Sequence, residues 1–176
     1  MDDLVRLVYA SKAVQDNNVA GQEIAFTLGE ILPHARHHNA QMEIGGVLFY
    51  DNGYFFQCLE GQRDAVMTTY ERISKDVRHQ NPKVLLHAFT KRHLFPEWSM
   101  KYVPAQENFR AFLAQHDLTE FAPFDYDQEM VGRLLIFLQQ AKESGEFAEK
   151  ISEKKSSEIE APPPKPKSAW RRLFSF

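Results

Sequence analysis

Apolar and polar positions first alternate in LVRLVYAS, residues 4–11, and this partly alternating β-rich stretch predicts a strand. KAVQDNN follows as a loop. From about Val19 to Asn39 the apolar positions Ile24, Leu28, Ile31, Leu32 and Ala35 recur at helical spacing. Pro33 costs about 3 kcal/mol inside an ideal helix, so it either kinks this one or marks a break. The strongest local signal is EIGGVLFYDNGYFFQCLEG, two apolar β-rich runs joined by Asp51, Asn52 and Gly53. Asn-Gly tolerates the positive φ angles of a type I′ turn, whose twist suits a two-residue hairpin. Ile44 to Tyr50 is apolar almost throughout, which predicts a strand covered on both faces.

Residues 63–76 carry Val66, Met67, Tyr70 and Ile73 at three- and four-residue spacings, an amphipathic helix. VRHQNP reads as a turn, residues 83–92 as a strand and 98–103 as a short final strand. The order βαββαββ, with helices on one side of a mainly antiparallel sheet, gives an α+β fold, a ferredoxin-like sandwich. Two further helices are predicted over 106–116 and about 126–143. Met130, Leu134, Leu135, Phe137 and Leu138 give the second a broad apolar face, and Asp125 or Asp127 caps it. So apolar a face must cover something, either the open side of the sheet or a second subunit, which makes a homo-oligomer one possible arrangement. Residues 144–168 turn to Glu, Lys, Ser and Pro and read as a disordered linker. The last eight residues, AWRRLFSF, are aromatic and basic again.

Composition narrows the class. At 176 residues the chain has about one domain's length and can bury a real core. Cys58 is the only cysteine, so no disulfide forms within the chain, and its apolar neighbours make it a small buried hydrophobe. A net charge of -3 gives no global field for nucleic acid. MDDLVRLVYA opens on acids and is no signal peptide, and no run approaches a membrane span. A cytoplasmic protein is expected.

Common catalytic and nucleotide motifs are missing: there is no G-x-G-x-x-G, no Walker A segment and no G-x-S-x-G elbow. His34 and His38 lie four apart, but with no third ligand identifiable no metal site is predicted. What stands out is polar residues in apolar strands, Tyr9 in the first and Gln57 amid Phe55, Phe56 and Leu59. A glutamine there either faces solvent or meets a polar partner, since burial without one costs about 1–3 kcal/mol.

Taken together, VYAS with Tyr9, ARHHN with Arg36, His38 and Asn39, IGGVLFYDNGYFFQCLEG with Gln57, ERISKDVRH, and WSM with Trp98 and Met100 resemble the BLUF family, blue-light sensors that use FAD. The resemblance spans about residues 4–103, in the family's order. It implies the same sandwich, with the flavin ring between the first two helices and the sheet. It makes Tyr9 and Gln57 the photochemical pair and places Asn39 at the ring edge. Arg72, Asp76, Arg78 and His79 fall where family members contact the ring carbonyls or ribityl chain, and His38 near the flavin tail. Trp98 and Met100, on the last strand, relay the signal. Two departures stand out: the loop after Tyr9 is longer than usual, and Ala35 replaces a frequent hydroxyl residue.

The implied mechanism is that Tyr9 donates an electron and a proton on excitation. Recombination then leaves the Gln57 amide rotated or tautomerised, with no net chemistry, so the chain is no enzyme. A flavin-dependent redox enzyme and an acylphosphatase-like hydrolase are the alternatives. YASKAVQDNN lacks the arginine and glycine-rich cradle the latter needs. The domain plan is a photosensor over 1–104, a helical cap over 105–143, the linker, and a tail motif over 169–176. The expected output is a light-dependent contact with a partner protein. The tail's aromatics and arginines suit such a partner better than a membrane surface, since eight residues anchor weakly.

Overall fold

Asn52 and Gly53 adopt φ angles of 47° and 76°, the left-handed pair a type I′ turn requires, in the computed structural model of the chain, which describes residues 3–14, 20–96, 99–105 and 107–141. That turn closes the hairpin of β2 (Gly45–Asp51) and β3 (Tyr54–Gln62), with Asp51 opposite Tyr54 and Gln57 opposite Leu48. β1 (Leu4–Ala13) lies on the other side of β3, antiparallel, with Tyr9 opposite Gln57. β4 (His79–Phe89) pairs with β1 at one edge, and β5 (Lys101–Pro104) runs parallel to β2 at the other. The strand order is β4-β1-β3-β2-β5. With α1 (Ala20–Gln41) and α2 (Arg63–Ser74) as crossovers, the chain has the ferredoxin-like α+β fold, followed by α3 (Glu107–Gln115) and α4 (Gln128–Gln140).

Strand alternation sends odd and even positions to opposite sides of the sheet. On one side Val8, Val47, Phe49, Phe56, Cys58 and Val103 join Phe109, Phe112 and Leu113 of α3 and Val131, Leu134, Leu135 and Leu138 of α4 in a single buried cluster. Phe121 fills its middle, packing edge-on against Phe49 with ring centroids 5.2 Å apart. α3 and α4 thus cover the open side of the sheet. Asp127, one of the two candidate caps, accepts the Met130 amide at 2.7 Å and starts α4. On the other side Tyr9, Ser11, Leu48, Phe55 and Gln57 face α1 and α2. β2 is apolar and buried from Gly45 to Phe49, where both of its faces are covered. Gly46 is required by closeness: a Cβ there would lie 2.1 Å from the Cys58 carbonyl oxygen.

Several boundaries differ from the sequence-based expectation. β1 extends to Ala13, through the first residues assigned to a loop. α1 runs unbroken through Pro33 to Gln41. Four of the six residues of the predicted turn VRHQNP are strand, since β4 begins at His79. Asn81 has φ 54° and the β1–β4 register shifts between Ala10 and Lys12, so the irregularity is absorbed locally. An edge strand also tolerates Pro82, whose missing N–H faces no neighbour. β5 begins at Lys101, later than expected, and Met100 sits in a bend just before it. Trp98, the predicted linker and the AWRRLFSF tail lie outside the described residues.

Candidate functional site

α1 ends its buried stripe on a polar residue. Leu28, Leu32, Ala35 and Asn39 follow one another four, three and four residues apart, so they share one face. Leu28 and Leu32 are buried, and the same stripe carries Asn39, also buried, toward the sheet. Its Nδ2 donates to the Ser99 carbonyl at 2.7 Å. One residue further, the Met100 carbonyl accepts from Arg36 Nε at 3.1 Å. The end of α1 therefore holds the main chain just before β5 by two side-chain hydrogen bonds.

The sheet supplies the centre. Directly opposed residues on antiparallel strands have Cβ atoms about 5 Å apart, so register alone brings Tyr9 and Gln57 together. The Tyr9 hydroxyl donates to Gln57 Oε1. Gln57 Nε2 donates in turn to Met100 Sδ at 3.3 Å. Tyr9, Gln57 and Met100 are all buried, so the chain Tyr9–Gln57–Met100 is shielded from water. Burial, then the charges of Tyr70 and Asp76, pushes the Tyr9 phenol far above its ordinary pKa, so it keeps its proton throughout the physiological range.

Above these residues lies a cavity of about 420 Å³ between α1, α2 and the sheet. Leu48, Phe55, Ile31 and Ile73 give it apolar walls, while Tyr9, Gln57, Asn39, Asp76 and His79 give it polar ones. His34 and His37 of α1 and Arg72 of α2, all exposed, line its solvent side. Arg78 is held by Asp76, its Nε 2.8 Å from Oδ1, and this pairing lowers the Asp76 pKa. His38 Nε2 lies 3.3 Å from Thr69 Oγ1, and burial, followed by the Arg72 charge, lowers the histidine's pKa. His79 Nε2 lies 2.7 Å from the Ile73 carbonyl oxygen, which accepts the ring N–H.

Two buried polar atoms on these walls, Ser11 Oγ and His79 Nδ1, have no hydrogen-bond partner among the described residues. Buried polar atoms are nearly always satisfied, so an unpaired pair lining one cavity marks a place for a ligand with polar edges. A flat heteroaromatic ring with carbonyl and N–H groups fits this wall chemistry: aliphatic faces, Asn39 at an edge, and Ser11 and His79 unspent. A flavin is such a group. No cluster of three metal-ligating side chains occurs among the described residues.

The structure brings Tyr9, Gln57, His38, Asn39, Arg72, Asp76, Arg78 and His79 to one cavity. Met100 reaches it through Gln57 but stands outside β5, where the sequence had placed it. Sequence reasoning gave no role to Ser11, Thr69 or Leu48, whose positions on the strands and helix already implied a shared face. It also quoted Glu60 and Arg36 without assigning them. Glu60, fully buried, accepts from Arg6 Nε at 2.6 Å and from the amides of Leu94 and Phe95 at 2.8 and 3.0 Å. It thereby pins the β4–β5 connection that delivers Met100.

Comparison with known proteins bears on the family and the fold. Residues 4–101 match the family model described as "BLUF: Sensors of blue-light using FAD". The photoactivated adenylate cyclase subunit beta of Euglena gracilis is 35% identical over 98 residues, 55% of this chain but 11% of that protein. The blue light- and temperature-regulated antirepressor BluF of Escherichia coli (strain K12) is 31% identical over 98 residues, 56% of this chain and 23% of that protein. The chain thus spans only a small part of these curated relatives. Among solved structures, BlsA in its photo-activated state superposes with a TM-score of 0.75 at 36% identity, covering 80% of this chain and 98% of that one. The BLUF protein BlrB in its dark state gives 0.61 at 30% identity, covering 79% and 97%.

Proposed function

The chain belongs to the BLUF family of blue-light sensors, and from that premise we propose that it is a photoreceptor whose switch is the hydrogen-bond chain Tyr9–Gln57–Met100. The observation that carries the reading is this buried chain, which opens on one side to a flavin-sized cavity and ends on the other at the entrance to β5. A bound flavin supplies absorption of blue light and, once excited, an acceptor for one electron.

Leu48, Ile31 and Ile73 would hold the faces of the ring, and Asn39, Ser11 and His79 would meet its polar edge. Arg78 and Asp76 would hold the ribityl region. His34, His37 and Arg72 line the solvent side, where the phosphate-bearing tail of FAD would emerge beside the Arg72 guanidinium.

Tyr9 would be the electron and proton source, and recombination would return both to it, so that only the hydrogen-bond pattern is left changed. Its phenol is far too basic to ionise by itself, but an oxidised phenol is a strong acid, and its proton already points at Gln57 Oε1. Gln57 is suited to store the outcome. Its amide has a donor end and an acceptor end of nearly equal size, so exchanging them reverses the bonding pattern without changing volume. With Oε1 turned toward Met100 Sδ, two acceptors face each other and the bond to Met100 is lost. In a dry site such a difference is not compensated by water. Released from Gln57, Met100 changes its hold on β5, and the sheet edge carries the signal to a partner protein. The chain performs no net reaction on a substrate in this reading.

The test is optical. Purified protein should be yellow, should shift its absorption slightly to the red under blue light, and should recover in the dark. Tyr9→Phe should retain the flavin and lose the shift. A normal light response in the Y9F variant would overturn the switch assignment. Bleaching by NAD(P)H with no light response would identify a redox enzyme instead.

A further inference from the structure

Met100 and Lys101 are consecutive residues that point to opposite sides of the sheet. Met100 faces Gln57, whose Nε2 donates to its Sδ. Lys101 shares a face with Val103, on the side covered by α3 and α4. Although it carries a charge, Lys101 is 4% exposed. Its Nζ donates to the carbonyls of Leu138, Gln139 and Ala141 at 3.0, 2.9 and 2.6 Å.

Two of these are carbonyls of the last turn of α4, which have no partner inside the helix, and the third belongs to Ala141, which caps it; α4 has no basic residue of its own in that turn. A cation at a helix C-terminus satisfies these groups and opposes the negative end of the helix dipole. A second tie lies beside it: Gln139 Nε2 donates to the Leu94 carbonyl at 3.1 Å, in the connection that Glu60 pins. The end of α4 is therefore fastened to β5 and to its approach.

Resting on the photoreceptor reading above, we propose that Lys101 is the positioning residue that converts a change at Met100 into a change at the C-terminus of α4. In the dark state Gln57 and Arg36 hold Met100 in place, Lys101 is aligned, and the last turn of α4 is closed. When the Gln57 amide lets go of Met100 Sδ, the peptide that joins Met100 to Lys101 shifts. A three-carbonyl geometry around one ammonium tolerates little displacement, so the bonds to Leu138, Gln139 and Ala141 weaken together. The last turn opens, and with it the point at which the chain leaves α4. The output surface is the end of α4 rather than its apolar face, which stays buried on the sheet.

Hydrogen exchange on the full flavin-loaded chain, in darkness and under blue light, tests this. In the wild type, amides of residues 138–141 should exchange about tenfold faster in light, the scale expected for loss of charge-assisted hydrogen bonds, while β1 and β3 stay unchanged. Lys101→Met should show the same spectral shift, fast exchange at these amides already in the dark, and no further gain in light. Lys101→Arg should restore part of the light dependence. A wild type that shifts its spectrum with no change at residues 138–141 overturns the coupling, and needs no variant to do so. A K101M protein that keeps the full light-driven gain overturns it as well. Absence of any spectral shift in the wild type overturns the photoreceptor reading first, and the coupling with it.

Discussion

The two faces of this sheet are built from alternate residues of the same strands, yet they are organised on opposite principles. The face under α3 and α4 is filled with rings: Phe49, Phe56, Phe109 and Phe121 are fully buried and meet mostly edge to face, as Phe49 does with Phe109 at a centroid distance of 4.6 Å. The face under α1 and α2 encloses a cavity and carries Tyr9, Ser11, Asn39 and Gln57, polar groups that apolar packing could not satisfy. One face stabilises by excluding everything. The other keeps room and unspent hydrogen-bonding capacity, and that is what a switch needs. Because neighbours along each strand serve different faces, the close-packed side holds the cavity side in register. Tyr9 meets Gln57 reliably only because Val8 and Cys58, beside them, are locked into the aromatic cluster.

The largest effect should come from breaking the rigid face. Phe121→Ala removes the ring at the centre of the cluster and should cost about 3–5 kcal/mol, read as a lower urea midpoint. If the two faces are coupled as described, flavin retention should fall with it.

On the other face, Gln57→Leu keeps the volume but leaves the Tyr9 hydroxyl without its acceptor, so a smaller loss of about 1–3 kcal/mol is expected. The spectral shift should disappear entirely. A large loss of function at a modest cost in stability is the reverse of the Phe121 result, and a Q57L protein that still shifts and recovers would remove the distinction between the faces.

Alkaline pH should act through the buried phenols. Burial raises the Tyr9 pKa, and raises that of Tyr102 to about 12. Both phenols stay protonated in the folded chain, whereas the unfolded chain ionises them near pH 10. Their contribution is complete below that pH and is lost as pH rises toward the folded values. Stability should therefore decline above about pH 10. Tyr102→Phe should make that decline shallower, as measured by denaturant unfolding across the pH range.

The smallest effect should be Ser11→Ala, and its sign is informative. Removing a buried hydroxyl that finds no partner among the described residues should leave flavin-free protein equally stable or slightly more so, and should weaken flavin binding. Unchanged flavin affinity would mean that Ser11 plays no part in the cavity's recognition chemistry.

The hydrophobic pattern by itself determined the element order, the Asn52–Gly53 hairpin, the doubly covered strand β2 and the apolar face of α4. These rest on periodicity and turn chemistry, which act over a few residues and are written directly in the chain. Family likeness in the motifs around Tyr9, Asn39 and Gln57 marked most of the cavity's lining. Tertiary structure alone decided who meets whom. That Gln57 takes Tyr9 on one side and Met100 on the other depends on a strand register and a loop anchored by Glu60, across separations of 43 and 48 residues. That α3 and α4 cover the sheet, rather than a second copy of the chain, depends on aromatic shapes that no periodicity encodes. The starts of β4 and β5 were misplaced for the same reason. A strand at a sheet edge is defined by its neighbour's hydrogen bonds, so it admits Asn81 and Pro82 and excludes Met100. Lys101 is the extreme case: in the sequence it is a charge in a short strand, and only the packed end of α4 makes it a cap.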